Sequence, residues 1–221
     1  ALILNALSYS PYEIRNLSDC DDTEVMVKAL NSNDRDFDIK AAGTAMRFLT
    51  AFLSKVVGEW TITGTERMKN RPIKILVDAL NALGARVEYM EKEGYPPLRI
   101  FGSALQGGEI SLAGGVSSQY ISALLMIAPL MENGLTLHLE GVVISKPYIN
   151  LTLQLMEQYG VKAEWNGQTI KVRPQDYHPI PFTVESDWSA ASYWYSMMAL
   201  SKNAEIELLG LFKNRDRKSV V

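Results

Sequence analysis

A helix that opens on proline and closes on glycine occurs twice in this chain, and the distance between the copies limits the folds open to it. Arg71-Pro72-Ile73-Lys74 leads through an amphipathic run to Leu83-Gly84-Ala85, and Lys146-Pro147-Tyr148-Ile149 leads in the same way to Tyr159-Gly160-Val161. Proline suits the first turn of a helix, glycine suits its C-terminal cap, and a strand follows each copy. Pro72 and Pro147 lie 75 positions apart, too long a period for a solenoid and right for a supersecondary unit. A looser copy starts at Asp21-Asp22-Thr23-Glu24, with acidic residues in place of the proline.

Short alternating strands are expected after the second copy at residues 86–89, 98–101 and 109–112, and after the third at 162–165, 169–172 and 182–184. Residues 1–7 read as the tail of a helix and 12–17 as the strand after it. A second helix closes each unit, starting at Ala42-Gly43-Thr44, Ser117-Ser118-Gln119 and Asp187-Trp188-Ser189 and running into strands at 59–63, 136–140 and 205–209. None of the three units can bury a core alone. They are expected to share one, an α+β arrangement with helices inside and sheets outside, residues 1–214 forming one domain. Residues 215–221 lose all periodicity; Asp216 to Val221 match the translation of a common sequencing adapter and read as a non-native tail outside the fold.

If the closing helices are related by pseudo-threefold symmetry, their N-termini converge. The first turn of a helix presents unpaired N–H groups and the positive end of its dipole, which favours anions. Gly43-Thr44, Ser117-Ser118-Gln119 and Asp187-Trp188-Ser189 would then face one space, with the loops 64–72 and 141–148 beside it. Arginine grips planar oxyanions through two bonds, lysine supplies a point charge, and hydroxyl and carboxamide groups fix orientation. The set suits a phosphorylated or carboxylated, hydroxyl-rich small molecule. A plainer reading stands beside it: Ser117 and Ser118 as helix caps, Arg67, Lys69 and Arg71 as a solvated basic turn.

Composition narrows the field by exclusion. A net charge of −3 gives no reason to expect nucleic acid or an acidic membrane surface as a partner, and no apolar run reaches membrane-spanning length. One cysteine, Cys20, allows no internal disulfide and suits a reducing, cytoplasmic setting. His138 and His178 lack the neighbouring Cys or His that zinc needs, so no metal is expected. The Asp19-Cys20-Asp21-Asp22 cluster reads as a helix cap, and Trp188, Tyr193, Trp194 and Tyr195 read as core at helical spacing.

At the loops the sequence resembles a known family. Ala42-Gly43-Thr44-Ala45-Met46-Arg47, Arg67-Met68-Lys69-Asn70-Arg71-Pro72, Gly94-Tyr95-Pro96-Pro97-Leu98, Val116-Ser117-Ser118-Gln119 and Val143-Ile144-Ser145-Lys146-Pro147-Tyr148 resemble the 5-enolpyruvylshikimate-3-phosphate synthases, in family order and spacing. The resemblance implies an inside-out α/β, barrel-like domain of three βαβαββ units. It also implies that this chain is most of the N-terminal-side half of a two-domain enzyme, the other domain being absent. That enzyme moves the enolpyruvyl group of phosphoenolpyruvate to the 5-hydroxyl of shikimate 3-phosphate, without a cofactor.

By the same resemblance, Ser117, Ser118 and Ser145 hold shikimate 3-phosphate, Tyr148 packs on its ring, Gln119 touches both substrates, and Gly43 and Arg71 contact phosphoenolpyruvate. The family's Lys-Ser…Arg motif would precede Ala1, and its acid/base carboxylate belongs to the other domain, so the chain alone is expected to be inactive. Ala41 stands where the family often has Asn, which puts one phosphoenolpyruvate contact in doubt, and Phe48 where it often has Pro. Two alternatives remain: a UDP-N-acetylglucosamine enolpyruvyl transferase domain, which shares the architecture, and a non-catalytic binding module on the same repeats.

Overall fold

The computed structural model describes residues 1–211. The first half of the chain forms α1 (Leu2–Leu7), α2 (Asp21–Asn31), β1 (Asp36–Asp38), α3 (Gly43–Lys55), β2 (Gly58–Thr63), the short α4 (Glu66–Lys69), α5 (Lys74–Ala82), β3 (Arg86–Tyr89) and β4 (Leu98–Gly102). It continues through β5 (Gly108–Ala113), α6 (Ser118–Ile127), β6 (Leu135–Glu140), α7 (Lys146–Gln158), β7 (Ala163–Asn166), β8 (Thr169–Val172) and α8 (Trp188–Leu200).

The duplication legible in the sequence is a duplication of topology. One sheet runs β1-β2-β4-β3 and the other β5-β6-β8-β7. In each, the first two strands are parallel, as the helix between them requires, and the hairpin adds two antiparallel strands. The glycine caps repeat as well. Gly84 and Gly160 both take positive φ, 97° and 90°. Around them Ala85 N–H bonds Leu80 O and Gly84 N–H bonds Asn81 O, while Val161 bonds Met156 and Gly160 bonds Glu157 in the same pattern. Both are Schellman closures, which need a residue that tolerates the left-handed region. The two prolines are less alike: Pro147 lies in the first turn of α7, whereas α5 begins at Lys74, two residues past Pro72.

Helices fill the centre and sheets lie outside. The α6 helix is buried on every side from Tyr120 to Ile127, so its sequence carries little amphipathic signal. It packs on α3, whose Met46 and Leu49 are buried, and on α1 through Ile3, Leu4 and Leu7. Each such fully buried aliphatic side chain contributes about 1.5–3 kcal/mol.

The third unit departs from expectation, and α1, not α8, is the third inner helix. Only Ala191 of α8 is buried; Tyr193, Trp194 and Tyr195, expected in the core, are exposed here, Tyr193 and Trp194 by 71% and 52%, while Trp188 is half-buried. The expected strands at 12–17 and 182–184 are reduced to one parallel bridge, Arg15 to Thr183, and 205–209 is not a strand. In the two complete sheets a hairpin after the outer helix covers the free edge of the second strand. After α2 the chain enters β1 within a few residues, leaving no room for that hairpin. A short parallel pair without such cover is not stable by itself. The expected tail at 215–221 lies outside the described residues.

Candidate active-site corner

The start of α3 is built around a glycine onto which two arginine side chains close. A Cβ on Gly43 would run into the Arg71 guanidinium and would lie 2.7 Å from Arg47 Nη1. Two arginines therefore reach one helix start, the first from the loop before α5 and the second from the next turn of α3 itself. Thr44, beside Gly43, accepts a hydrogen bond from Gln119 Nε2 at 3.1 Å, which ties the first turn of α3 to the first turn of α6. The next residue of α6, Tyr120, donates its hydroxyl to Pro72 O at 2.7 Å and so fixes the loop carrying Arg71.

The start of α6 leads on to the second group of expected residues. Ser117 is its cap, its Oγ accepting Gln119 N–H at 3.3 Å, so the plain reading holds for this serine. Ser118 begins the helix and makes no capping bond. Just before it, the loop through Gly114 and Gly115 touches the loop after β6: a Cβ on Gly114 would lie 3.0 Å from Val142 O, and one on Gly115 4.0 Å from Ile144 Cδ1. Ser145 ends that loop as the N-cap of α7 with no side-chain capping bond, leaving its hydroxyl uncommitted to the helix. Tyr148 follows, largely exposed, next to exposed Val142 and Ile144. Gly43, Arg71, Thr44 and Gln119 thus meet at one corner, Ser117 and Ser118 lie at the start of the same helix as Gln119, and Ser145 and Tyr148 lie at the start of α7, after the loop that approaches Gly114.

Asp187-Trp188-Ser189 does not join it by any hydrogen bond among the described residues: Asp187 caps its own helix, accepting Ser189 N–H at 2.8 Å. The basic turn divides. Lys69 is held by Glu91 at 3.0 Å, with Glu66 at 3.8 Å, and that hydrogen bond raises its pKa. Arg71 and Arg47 have no carboxylate partner among the described residues, so their charge is available to a ligand.

Comparison with known proteins decides the family. A sequence model described as EPSP synthase (3-phosphoshikimate 1-carboxyvinyltransferase) matches residues 28–221. The chain belongs to the EPSP synthase family. A 3-phosphoshikimate 1-carboxyvinyltransferase of Bacteroides fragilis (strain YCH46) is 63% identical over 215 residues, covering 97% of this chain and 52% of the relative. One of Vibrio atlanticus (strain LGP32) is 42% identical, covering 97% of this chain and 57% of that protein. The chain therefore spans about half the length of these relatives. A solved structure titled EPSP synthase from Acinetobacter baumannii superposes with a TM-score of 0.76 over 87% of this chain and 49% of its own, at 17% identity, which speaks to fold alone.

Two residues of this corner carry no sign of their contacts in the sequence. Arg47 ends the Ala42–Arg47 motif, and a charged residue in an apolar helix shows nothing of its burial. Asp22 belongs to a cluster expected to cap α2. Instead its Oδ1 accepts the N–H groups of Thr44 and Ala45 at 2.8 and 3.1 Å, capping α3 across the fold. No local signal marks such a contact, since 22 residues separate the partners. No helix among the described residues is long and apolar enough to cross a membrane.

Proposed function

We propose that this chain is the shikimate 3-phosphate-binding half of an enzyme that transfers the enolpyruvyl group of phosphoenolpyruvate to the 5-hydroxyl of shikimate 3-phosphate. The observation that carries the reading is the meeting of Gly43, Arg71, Thr44 and Gln119 at one corner, with Ser118 beside Gln119 at the start of α6. In this assignment Arg71 and the glycine backbone take the anionic groups of phosphoenolpyruvate. Ser117, Ser118 and Ser145 take the phosphate and hydroxyls of the acceptor, Tyr148 packs on its ring, and Gln119 stands between the two substrates. The bond made joins the acceptor oxygen to the enolpyruvyl carbon; the bond broken releases inorganic phosphate, through addition and then elimination.

Holding both reactants in register removes much of the entropic barrier of a bimolecular step. Proton transfer and the remaining charge neutralisation need groups this chain does not carry, so the chain alone has no turnover. The partner is the rest of the enzyme, and the exposed apolar face of α8, with Tyr193, Trp194, Met197 and Leu200, is the surface proposed to meet it. An exposed free thiol at Cys20 supports a cytoplasmic location. The test is reconstitution: the purified chain mixed with the complementary half of the Bacteroides relative should regain enolpyruvyl transfer that neither half shows alone. Transfer by this chain by itself, or folded halves that associate without any transfer, would overturn the proposal.

A further inference from the structure

Arg47 lies one helical turn beyond Gly43, and its side chain folds back toward the start of α3, the direction helical side chains take. It is 7% exposed. Its Nη1 donates to Gly43 O at 2.7 Å, its Cζ stands 5.5 Å from the centre of the Tyr120 ring, and its Nε is buried with no hydrogen-bond partner. Three penalties meet here. A guanidinium is buried without a carboxylate, it sits at the helix end whose dipole repels cations, and a second guanidinium, Arg71, reaches the same spot.

Asp22 relieves the dipole by taking the N–H groups of Thr44 and Ala45, but it forms no ion pair with either arginine. It also completes a clamp. Arg47 holds the carbonyl of the Gly43–Thr44 peptide and Asp22 holds the N–H of that same peptide, so the plane is pinned at both ends. One bound anion in front of Gly43 would relieve all three penalties together, and packing alone gives no reason to keep them.

We propose that Arg47 is a positioning residue for an anionic phosphate or carboxylate ligand at Gly43 and Arg71: it fixes the glycine peptide and supplies buried positive charge that only the ligand neutralises. The inference rests on the reading of this corner as the phosphoenolpyruvate seat. Its probe is phosphoenolpyruvate itself, titrated calorimetrically into the 221-residue chain and its Arg47→Met and Arg47→Lys variants, with the melting midpoint of each recorded without ligand.

The expected result for Arg47→Met is a ligand-free midpoint at or above the parent's, with phosphoenolpyruvate bound at least tenfold more weakly and shikimate 3-phosphate unchanged within twofold. Arg47→Lys, which keeps the charge, should recover part of the affinity. A purely structural arginine would give the reverse, a lower midpoint with unchanged phosphoenolpyruvate affinity, and that result overturns the inference. Should Arg47→Met lose both stability and affinity, a folded Arg47→Lys decides: partial recovery supports the role and none overturns it. Parent protein that binds no phosphoenolpyruvate removes the reading of the corner and this inference with it, an outcome distinct from parent and Arg47→Met binding equally, which removes the role of Arg47 alone.

Discussion

Gln119 Nε2 donates to Thr44 Oγ1 at 3.1 Å, so the starts of the two central helices are linked by a side-chain bond between residues 75 apart in sequence. The bond is part-buried, and a typical one of this kind contributes about 0.5–1.5 kcal/mol. Gln119→Ala should therefore lower shikimate 3-phosphate affinity by roughly tenfold while the melting midpoint falls by no more than about 2–4 °C. Calorimetry beside a thermal melt checks both halves; a large loss of stability with normal affinity would make Gln119 merely a strut.

Gly43→Ala places a methyl against the Arg71 guanidinium and 2.7 Å from Arg47 Nη1. Both arginine termini are the ends of flexible side chains, so the fold should survive and the anion seat should not. The expected outcome is a stability within about 1 kcal/mol of the parent, alanine being the better helix former, with phosphoenolpyruvate binding reduced at least tenfold in calorimetry.

Thr152→Val probes the support beneath Tyr148. Thr152 Oγ1 donates to Tyr148 O at 3.1 Å and pairs with Ser122 Oγ at 2.7 Å, and Ser122 is 4% exposed. Valine keeps the shape but strands the Ser122 hydroxyl, a penalty of about 1–3 kcal/mol. Urea denaturation should show that loss, and the double variant Ser122→Ala with Thr152→Val should recover part of it, because no buried donor is then left unpaired.

The repeat, the glycine caps and most strands could be read directly. Residues 86–89 and 169–172 form the strands expected of them, because alternation over a half-buried sheet is a local signal. What failed was assignment of partners. The α8 helix is apolar nearly all round, as a fully buried helix is, but such a composition records that the helix wants cover, not what supplies it. The third sheet failed for a related reason: the missing hairpin after α2 is a property of chain length between two elements, invisible when each is read alone. At the corner, the helix start at Gly43-Thr44 is visible in the sequence, while Asp22 and Arg47 acquire meaning only through burial and contacts across the fold.

The alkaline limb of stability should trace to Tyr177, whose hydroxyl donates to Met126 O at 2.8 Å. Burial pushes its pKa well above the ordinary 10.0. Above pH 10 the unfolded chain gives up this proton and the folded chain keeps it, so the stabilisation is complete below pH 10 and is lost as pH rises beyond it. Tyr177→Phe should be less stable by about 1 kcal/mol at pH 7 from the lost bond, yet its stability should fall less steeply above pH 10. Denaturation midpoints at pH 7 to 11 make the comparison.

Trp194 on α8 is 52% exposed and lies outside the buried core of the described residues. Trp194→Asp should therefore leave the stability of the chain within about 0.5 kcal/mol while weakening association with the complementary half. Equilibrium sedimentation of the mixed halves reads that association directly.

The central claim is that corners from separate repeats form a single seat for a phosphorylated, hydroxyl-bearing ring. Calorimetric titration of shikimate 3-phosphate into the chain, repeated with Ser118→Ala and Ser145→Ala, tests it most directly. Saturable one-to-one binding that weakens in both variants, though the serines lie on different helices, is the result predicted; folded protein that binds no shikimate 3-phosphate, or binds it equally well without either serine, would contradict it.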